Sequence, residues 1–391
     1  MAESSGIDFD RVIDRRLVPA LKMRPSGMDW RNQRFFAASV ADMDFEPPPS
    51  VLVALRERLE HGVFGYEGFP AEVLEALVDW QASRHQWSVG GDEILRSPNI
   101  LNALAMAVNE FTDPGDGVIV QPPVFFDFFD ILRENDRRLV SNPLRFDGQR
   151  YEMDFTDLEH KASQPTTRML LLCNPHNPVG RVWSREELHE LATICARHDV
   201  LVVSDEIHAD IVYPGLSYSP FAVIDGANAN AIICISPAKT FNIASCCSAF
   251  TVIPDRQRRE RFQAANSRLT VNKNNAFASA AMLAAYRDGG PWVDALAVYL
   301  SENLSLLRAA VNELDGVRVI EPEGTFLVWM DFSSLGLDCA QLGQFLRNEA
   351  RWVVTRGEAF GDEGRGFARV NIACRRETLE LALEGLSLAL R

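Results

Sequence analysis

Four short apolar runs constrain this chain more than any other feature. GVIV (117–120), MLLLC (169–173), VLVV (200–203) and AIICI (231–235) contain no polar residue that could face water. Strands of that kind are buried on both faces. Between them lie stretches with apolar residues at helical spacing: SVLVALRERLEHG, AEVLEALVDWQASRHQW, NILNALAMAVNEFTDPGD and SREELHELATICARH. The first has Ser50 as a cap and Gly62 as a stop, the third closes at Pro114 and Gly115, and the last opens with a capping box, Ser184 and Glu187. Buried strands separated by helices predict an α/β fold with a mostly parallel sheet of the seven-stranded type, covered by helices on both faces. The last hundred residues differ. VRVIEPEGTFLVWMDF and GFARVNIAC read as strands in a mixed setting and ETLELALEGLSLAL as a closing helix, which predicts a smaller α+β domain. The expected division is a segment 1–50 that joins the small domain, a large domain 51–285 and a small domain 286–391. The 391 residues suffice for two or three domain-sized units.

In open parallel sheets, ligands bind beyond the carboxyl ends of the strands. The segments that follow the predicted strands are PNIL, PPVFF, CNPHNPVG, DEIH and SPAKT, so the polar residues gather at one edge. Lys239, in SPAKTF, has no acidic residue within five positions on either side. Taken alone it reads as an exposed loop lysine, since lysine is mostly exposed. Its place on the shared edge points instead to a lysine nucleophile. A lysine with a pKa of about 10.4 is a poor nucleophile at neutral pH, so such a residue must be desolvated or lie near other cations.

Other classes of function are disfavoured. Lys plus Arg number 39 and Asp plus Glu 54, a net charge of −15, which argues against nucleic acid or an anionic membrane as partner. No apolar run approaches the ~18 residues of a membrane span. The N-terminal MAESSGIDFDRVIDRR has no apolar core segment and does not read as a signal peptide. The seven cysteines are scattered and odd in number, and read as reduced thiols of a cytoplasmic protein. The seven histidines have no spacing that suggests a metal site, and none is expected.

NPHNPVG, SDEIH, SPAKTFNIA and FARVNIA match, in chain order, the asparagine, aspartate, lysine and arginine motifs of a known superfamily. The chain resembles the fold type I pyridoxal-phosphate enzymes, the aspartate aminotransferase superfamily, over nearly its whole length. VADMDFEPPPSV, HGVFGYEGF and the histidine of DEIH resemble its branch of cystathionine β-lyase-like C–S lyases. The resemblance implies pyridoxal 5'-phosphate as cofactor, bound to Lys239, which then acts as the base at the substrate Cα. It implies that Asp205 pairs with the pyridine nitrogen and Asn177 with the phenolic oxygen. Read alone, Asp205 is equally an N-cap or loop aspartate, and Asn177 a turn former beside proline. His208 takes a position near the same ring edge, or is a structural histidine. Phe125 stacks on the ring. Asn99, Ile100 and Leu101, opening a helix, and the Ser236 hydroxyl hold the phosphate. Tyr66 reaches across from the second subunit of a homodimer with shared active sites, or is a core or interface aromatic. Arg369 grips the substrate carboxylate with its planar fork, or is a surface arginine, and Asp42 joins it at the substrate.

Phe125 stands where relatives usually carry tyrosine, so the aromatic face is kept and the phenol is lost. Asn99 replaces a frequent glycine, and Cys246 and Cys247 replace a Gly-Leu pair; the cysteines read as small packing residues. The implied reaction is C–S β-elimination from a cysteine S-conjugate or cystathionine-like thioether, giving thiol, pyruvate and ammonia, since a thiolate leaves readily. The alternatives are an aminotransferase, a decarboxylation or oxidative deamination of an S-conjugated amino acid that follows loss of the phenol, and a cofactor-binding regulator or dead enzyme.

Overall fold

The computed structural model describes residues 7–26, 31, 34–227, 230–271 and 273–391; the first six residues of the N-terminal stretch lie outside it. The four apolar runs form strands in one seven-stranded sheet. In chain order its strands are β1 (Ile94–Ser97), β2 (Gly117–Val120), β3 (Arg138–Ser141), β4 (Thr167–Cys173), β5 (Leu201–Asp205), β6 (Ala231–Ile235) and β7 (Ala249–Val252). Their spatial order is β1-β7-β6-β5-β4-β2-β3. The pairings from β6 through β3 are parallel, while β7 runs antiparallel to both β6 and β1, so the sheet is mixed. Every residue of β2, β5, β6 and β7 is buried, as unalternated apolar runs require.

Helices cover both faces. One face packs against the helix Ile100–Phe111, whose Ala103, Leu104, Ala107 and Val108 meet Val118, Val203 and Cys234 in one apolar cluster. The other joins a larger cluster that continues through Trp183, Phe241 and Met282 to the C-terminal strands and helices. The helix Pro49–Glu60 begins two residues earlier than a cap at Ser50 implies. Pro48 stands at its cap, and the Ser50 hydroxyl donates to Ala284 O across the interface with the helix Ala276–Asp288. Gly62 closes the end of that helix at φ 75°, a conformation glycine adopts without cost. Ser184 and Glu187 form the capping box.

A four-stranded antiparallel sheet follows, in the order Arg318–Ile320, Leu327–Asp331, Phe367–Asn371 and Thr355–Arg356. Near the N-terminus, Phe36–Ala37 pairs in parallel with Trp352–Val353, so the chain's beginning is tied to its end.

Candidate active site

The carboxyl ends of β4, β5 and β6 open into a cavity of about 300 Å³. Its walls bring together Lys239, Asp205, Asn177, His208, Phe125, Asn99, Ile100, Leu101 and Ser236. A larger surface depression of about 980 Å³ near Glu159 and Arg197 is wide open and contains none of these residues. The smaller, deeper cavity is the chemically organised one.

Lys239 sits in a single helical turn, Pro237–Thr240, capped by Ser236, whose hydroxyl accepts from Ala238 N at 3.3 Å and donates to Ser248 O at 3.1 Å. The Lys239 amine donates to Ala41 O, 198 residues away in sequence. Burial lowers its proton affinity, and the Arg369 cation lowers it further, against the pull of Asp42 and Asp205. Asp205 ends β5. Its Oδ1 accepts from Ile207 N at 3.1 Å, while Oδ2 takes no hydrogen bond among the described residues. Burial pushes this carboxyl up to about 7. His208 is buried, its Nδ1 has no partner among the described residues, and burial holds it well below the usual histidine range, so it is neutral.

Asn177 Oδ1 accepts from Arg369 Nη1 at 3.0 Å, which leaves its amide nitrogen uncommitted. Arg369 is 2% exposed, not a surface residue. Both faces of its strand are covered, so alternation with apolar residues does not bring it to water. It donates to Ser39 O at 2.6 Å and Thr355 Oγ1 at 3.3 Å, lies over the Phe360 ring at 5.0 Å, and is lowered to about 9 by burial. Asn99 caps the helix Ile100–Phe111 by accepting from Asn102 N at 2.8 Å, leaving the first-turn N–H groups of Ile100 and Leu101 free of intrahelical partners.

Three predicted residues do not line the cavity: Arg369, which is joined to it through Asn177, and Tyr66 and Asp42, which lie apart. Tyr66 is fully exposed, outside the cavity of the single chain. Asp42 does not line the cavity; Arg15 holds its carboxylate through Nη1 at 2.9 Å and Nη2 at 2.6 Å. Arg15 also pairs with Asp44 at 2.6 Å, and the fully buried Lys22 with Asp44 at 3.0 Å.

Sequence reasoning missed Asp127, which lines the cavity, and a half-buried hydrogen-bonding hub at Asp210. Asp210 accepts from Thr240 Oγ1 at 2.6 Å and Trp80 Nε1 at 2.9 Å, and pairs with His85 Nε2 at 2.8 Å. Burial pushes its carboxyl up, but His85, Thr240 and Trp80 together outweigh that and hold it below the usual range. Because Thr240 follows Lys239, the hub anchors the lysine's turn. The one signal in the sequence was acidic residues clustered after a buried strand, Asp205, Glu206 and Asp210.

Against known proteins, residues 38–386 match the family aminotransferase class I and II. The chain is similar to cystathionine beta-lyase PatB of Bacillus subtilis, 42% identical over 98% of this chain and 100% of the relative. It is also similar to protein MalY of Escherichia coli, 31% identical over 98% and 99% of the two chains. The structure of cystalysin from Treponema denticola, which contains a pyridoxal 5'-phosphate cofactor, superposes with a TM-score of 0.93 at 32% identity, covering 98% of each chain. The chain belongs to the aminotransferase class I and II family.

Proposed function

We propose that this protein is a pyridoxal-phosphate-dependent C–S β-lyase that cleaves a cysteine S-conjugate or cystathionine-like thioether to thiol, pyruvate and ammonia. The observation that carries the reading is a desolvated Lys239 amine sharing one cavity with Asp205 and with Asn177, itself bonded to Arg369. Full-length similarity to a cystathionine beta-lyase supports elimination over transamination.

The residues present fit the cofactor. Asp205 has an open oxygen for a cationic ring nitrogen, Asn177 has a free amide donor, and Phe125 offers a flat wall. The start of the helix Ile100–Phe111, with Asn99, and the Ser236 hydroxyl suit a phosphate. When bound, the cofactor supplies an electron sink for the carbanion at the substrate Cα. Lys239, kept low in proton affinity by burial and Arg369, takes the Cα proton. Asp205 holds the proton on the ring nitrogen. Arg369 turns its fork to the substrate α-carboxylate. Neutral His208 packs at the ring edge, against Phe326. Asp42, held by Arg15 outside the cavity, acts on Lys239 through its charge, which favours the protonated amine. The C–S bond breaks with its electron pair on sulfur, one water is consumed, and thiol, pyruvate and ammonia leave. In a homodimer, Tyr66 of each copy completes the phosphate site of the other; its full exposure in the single chain supports this. Seven free cysteines suit a cytoplasmic enzyme.

Phe125 favours a second reading. Without a phenol in the cavity, the same site would decarboxylate and deaminate the thioether amino acid. Dioxygen and water are then consumed, and carbon dioxide, ammonia, hydrogen peroxide and a sulfur-retaining aldehyde form. Product analysis of the holoenzyme with cystathionine and a panel of cysteine thioethers separates the readings. We expect thiol, pyruvate and ammonia in equal amounts, and no products from Lys239→Ala. Carbon dioxide without thiol would establish the second reading, and a sulfur-retaining keto acid would make the enzyme a transaminase.

A further inference from the structure

Asp127 opens the helix Asp127–Glu134, two residues after Phe125, and its side chain lines the same cavity as Lys239. Asp205, which also lines the cavity, keeps an open oxygen that the cofactor reading assigns to the ring nitrogen. The remaining carboxylates around the site are committed: Asp42 to Arg15, Asp210 to three partners, and Glu206 to Ser204, Tyr218 and Phe221 N. Asp127 has no hydrogen bond or ion pair among the described residues, although Asp130, on the same helix, pairs with Arg133 at 2.7 Å. A helix start tolerates a negative charge, which explains why the residue is stable there. It does not explain why a half-buried carboxylate faces a substrate cavity.

The charges in the cavity suggest an answer. Burial and Asp130 push the Asp127 carboxyl up, and the cations that draw it back are Arg369 first and Lys239 second. The carboxylate is therefore sensed more strongly by the arginine that takes the substrate carboxylate than by the lysine at the cofactor. Once a substrate carboxylate neutralises Arg369, Asp127 keeps only the weaker pull of Lys239 against its negative charge, in a partly desolvated space. That arrangement repels an anionic S-substituent and attracts a cationic one.

We propose, resting on the lyase reading above, that Asp127 determines specificity by pairing with a cationic amine on the sulfur substituent of the thioether substrate. The α-amine of the substrate does not serve, because it is committed at the cofactor.

The test uses the holoenzyme and isosteric pairs. S-(2-aminoethyl)cysteine and S-ethylcysteine differ by a terminal amine. L-Lysine and L-norleucine are the same two shapes with a methylene for sulfur, so they bind without a leaving group. We expect the wild-type kcat/KM ratio of aminoethyl to ethyl substrate to exceed unity by about tenfold, the effect of one half-buried ion pair. In Asp127→Asn the ratio falls to near one. Asp127→Lys inverts it in favour of S-(2-carboxyethyl)cysteine over the aminoethyl compound. Wild type with no preference for the cation, or a preference that survives Asp127→Asn, overturns the proposal, and the wild-type arm needs no variant to fold. If neither thioether yields thiol and pyruvate, the lyase reading fails by itself. Binding of lysine against norleucine, followed by the cofactor's absorbance, then decides Asp127: a lysine preference lost in Asp127→Asn supports it, and a preference that is absent or retained overturns it.

Discussion

At the residue scale, Asp205 links the site to stability. Burial raises its folded-state pKa to about 7, while in the unfolded chain it titrates near the ordinary aspartate value of 3.8. Between these values the native state binds the extra proton, so its contribution to stability is present at low pH and is lost as pH rises through about 7. For cofactor-free protein, the melting temperature of wild type relative to Asp205→Asn should therefore fall between pH 4 and 7. A difference that stays constant across that window would show that the carboxyl is not desolvated. Added pyridoxal phosphate should shrink the difference, because on our assignment the carboxylate then gains a cationic partner. Lys239 and Asp205 were legible in the sequence because each follows a buried apolar run that places it at the sheet edge. Arg369 was legible as a candidate but not as a buried one, since its burial comes from Trp329 and Phe360 packed in the small sheet. Asp127 carries no local mark. An aspartate at a helix start is ordinary, and only the cavity beside it makes it unusual.

At the scale of elements, the helix Ile100–Phe111 combines packing and binding. Its buried Ala103, Leu104 and Ala107 hold it against the sheet, and Asn99 at extended φ −158° closes its first turn. Asn99→Ala should destabilise the fold by about 1 kcal/mol, the usual cost of losing an N-cap side chain. It should also weaken cofactor affinity, read by fluorescence titration, because the free N–H groups lose their fixed orientation. Stability loss with unchanged affinity would place the phosphate elsewhere. Helix boundaries of this kind were readable where the cap is a side-chain device, as at Ser184 and Glu187. Ser50 misled because Pro49 already supplies the helical φ at the first position, which frees the serine hydroxyl to bond Ala284 O. The antiparallel direction of β7 was not readable, since an apolar run is equally buried in either direction.

At the scale of the whole molecule, the N-terminal segment is strapped to the active-site side. Arg15 bridges Asp42 and Asp44, Lys22 joins them, and Asn371 in the small sheet donates to the carbonyls of Val40 and Asp42. We propose that residues 1–50 and 286–391 act as one body against 51–285. The pairing of Phe36–Ala37 with Trp352–Val353 and the break between helices Ala276–Asp288 and Gly290–Val311 support that division. Arg15→Ala should cost about 1 kcal/mol, because the charged hydrogen bonds it removes are partly screened by solvent. It should also expose the backbone near the buried Lys22 to trypsin. Unchanged digestion would mean that apolar contacts, such as Phe9 on Phe45 and Trp292, hold the segment unaided.

The sequence by itself determined the fold class, the alternation of strand and helix, and the gathering of Asn177, Asp205 and Lys239 at one edge. These follow from local periodicity, since a residue's spacing among apolar neighbours dictates which way it faces. Tertiary structure alone decided the strand order, the commitment of Asp42 to Arg15, the bond from Lys239 to Ala41 O, and the open carboxylate of Asp127. Each depends on segments far apart in the chain meeting in space. The state of a polar group there is set by how much water those meetings remove and which partners they supply.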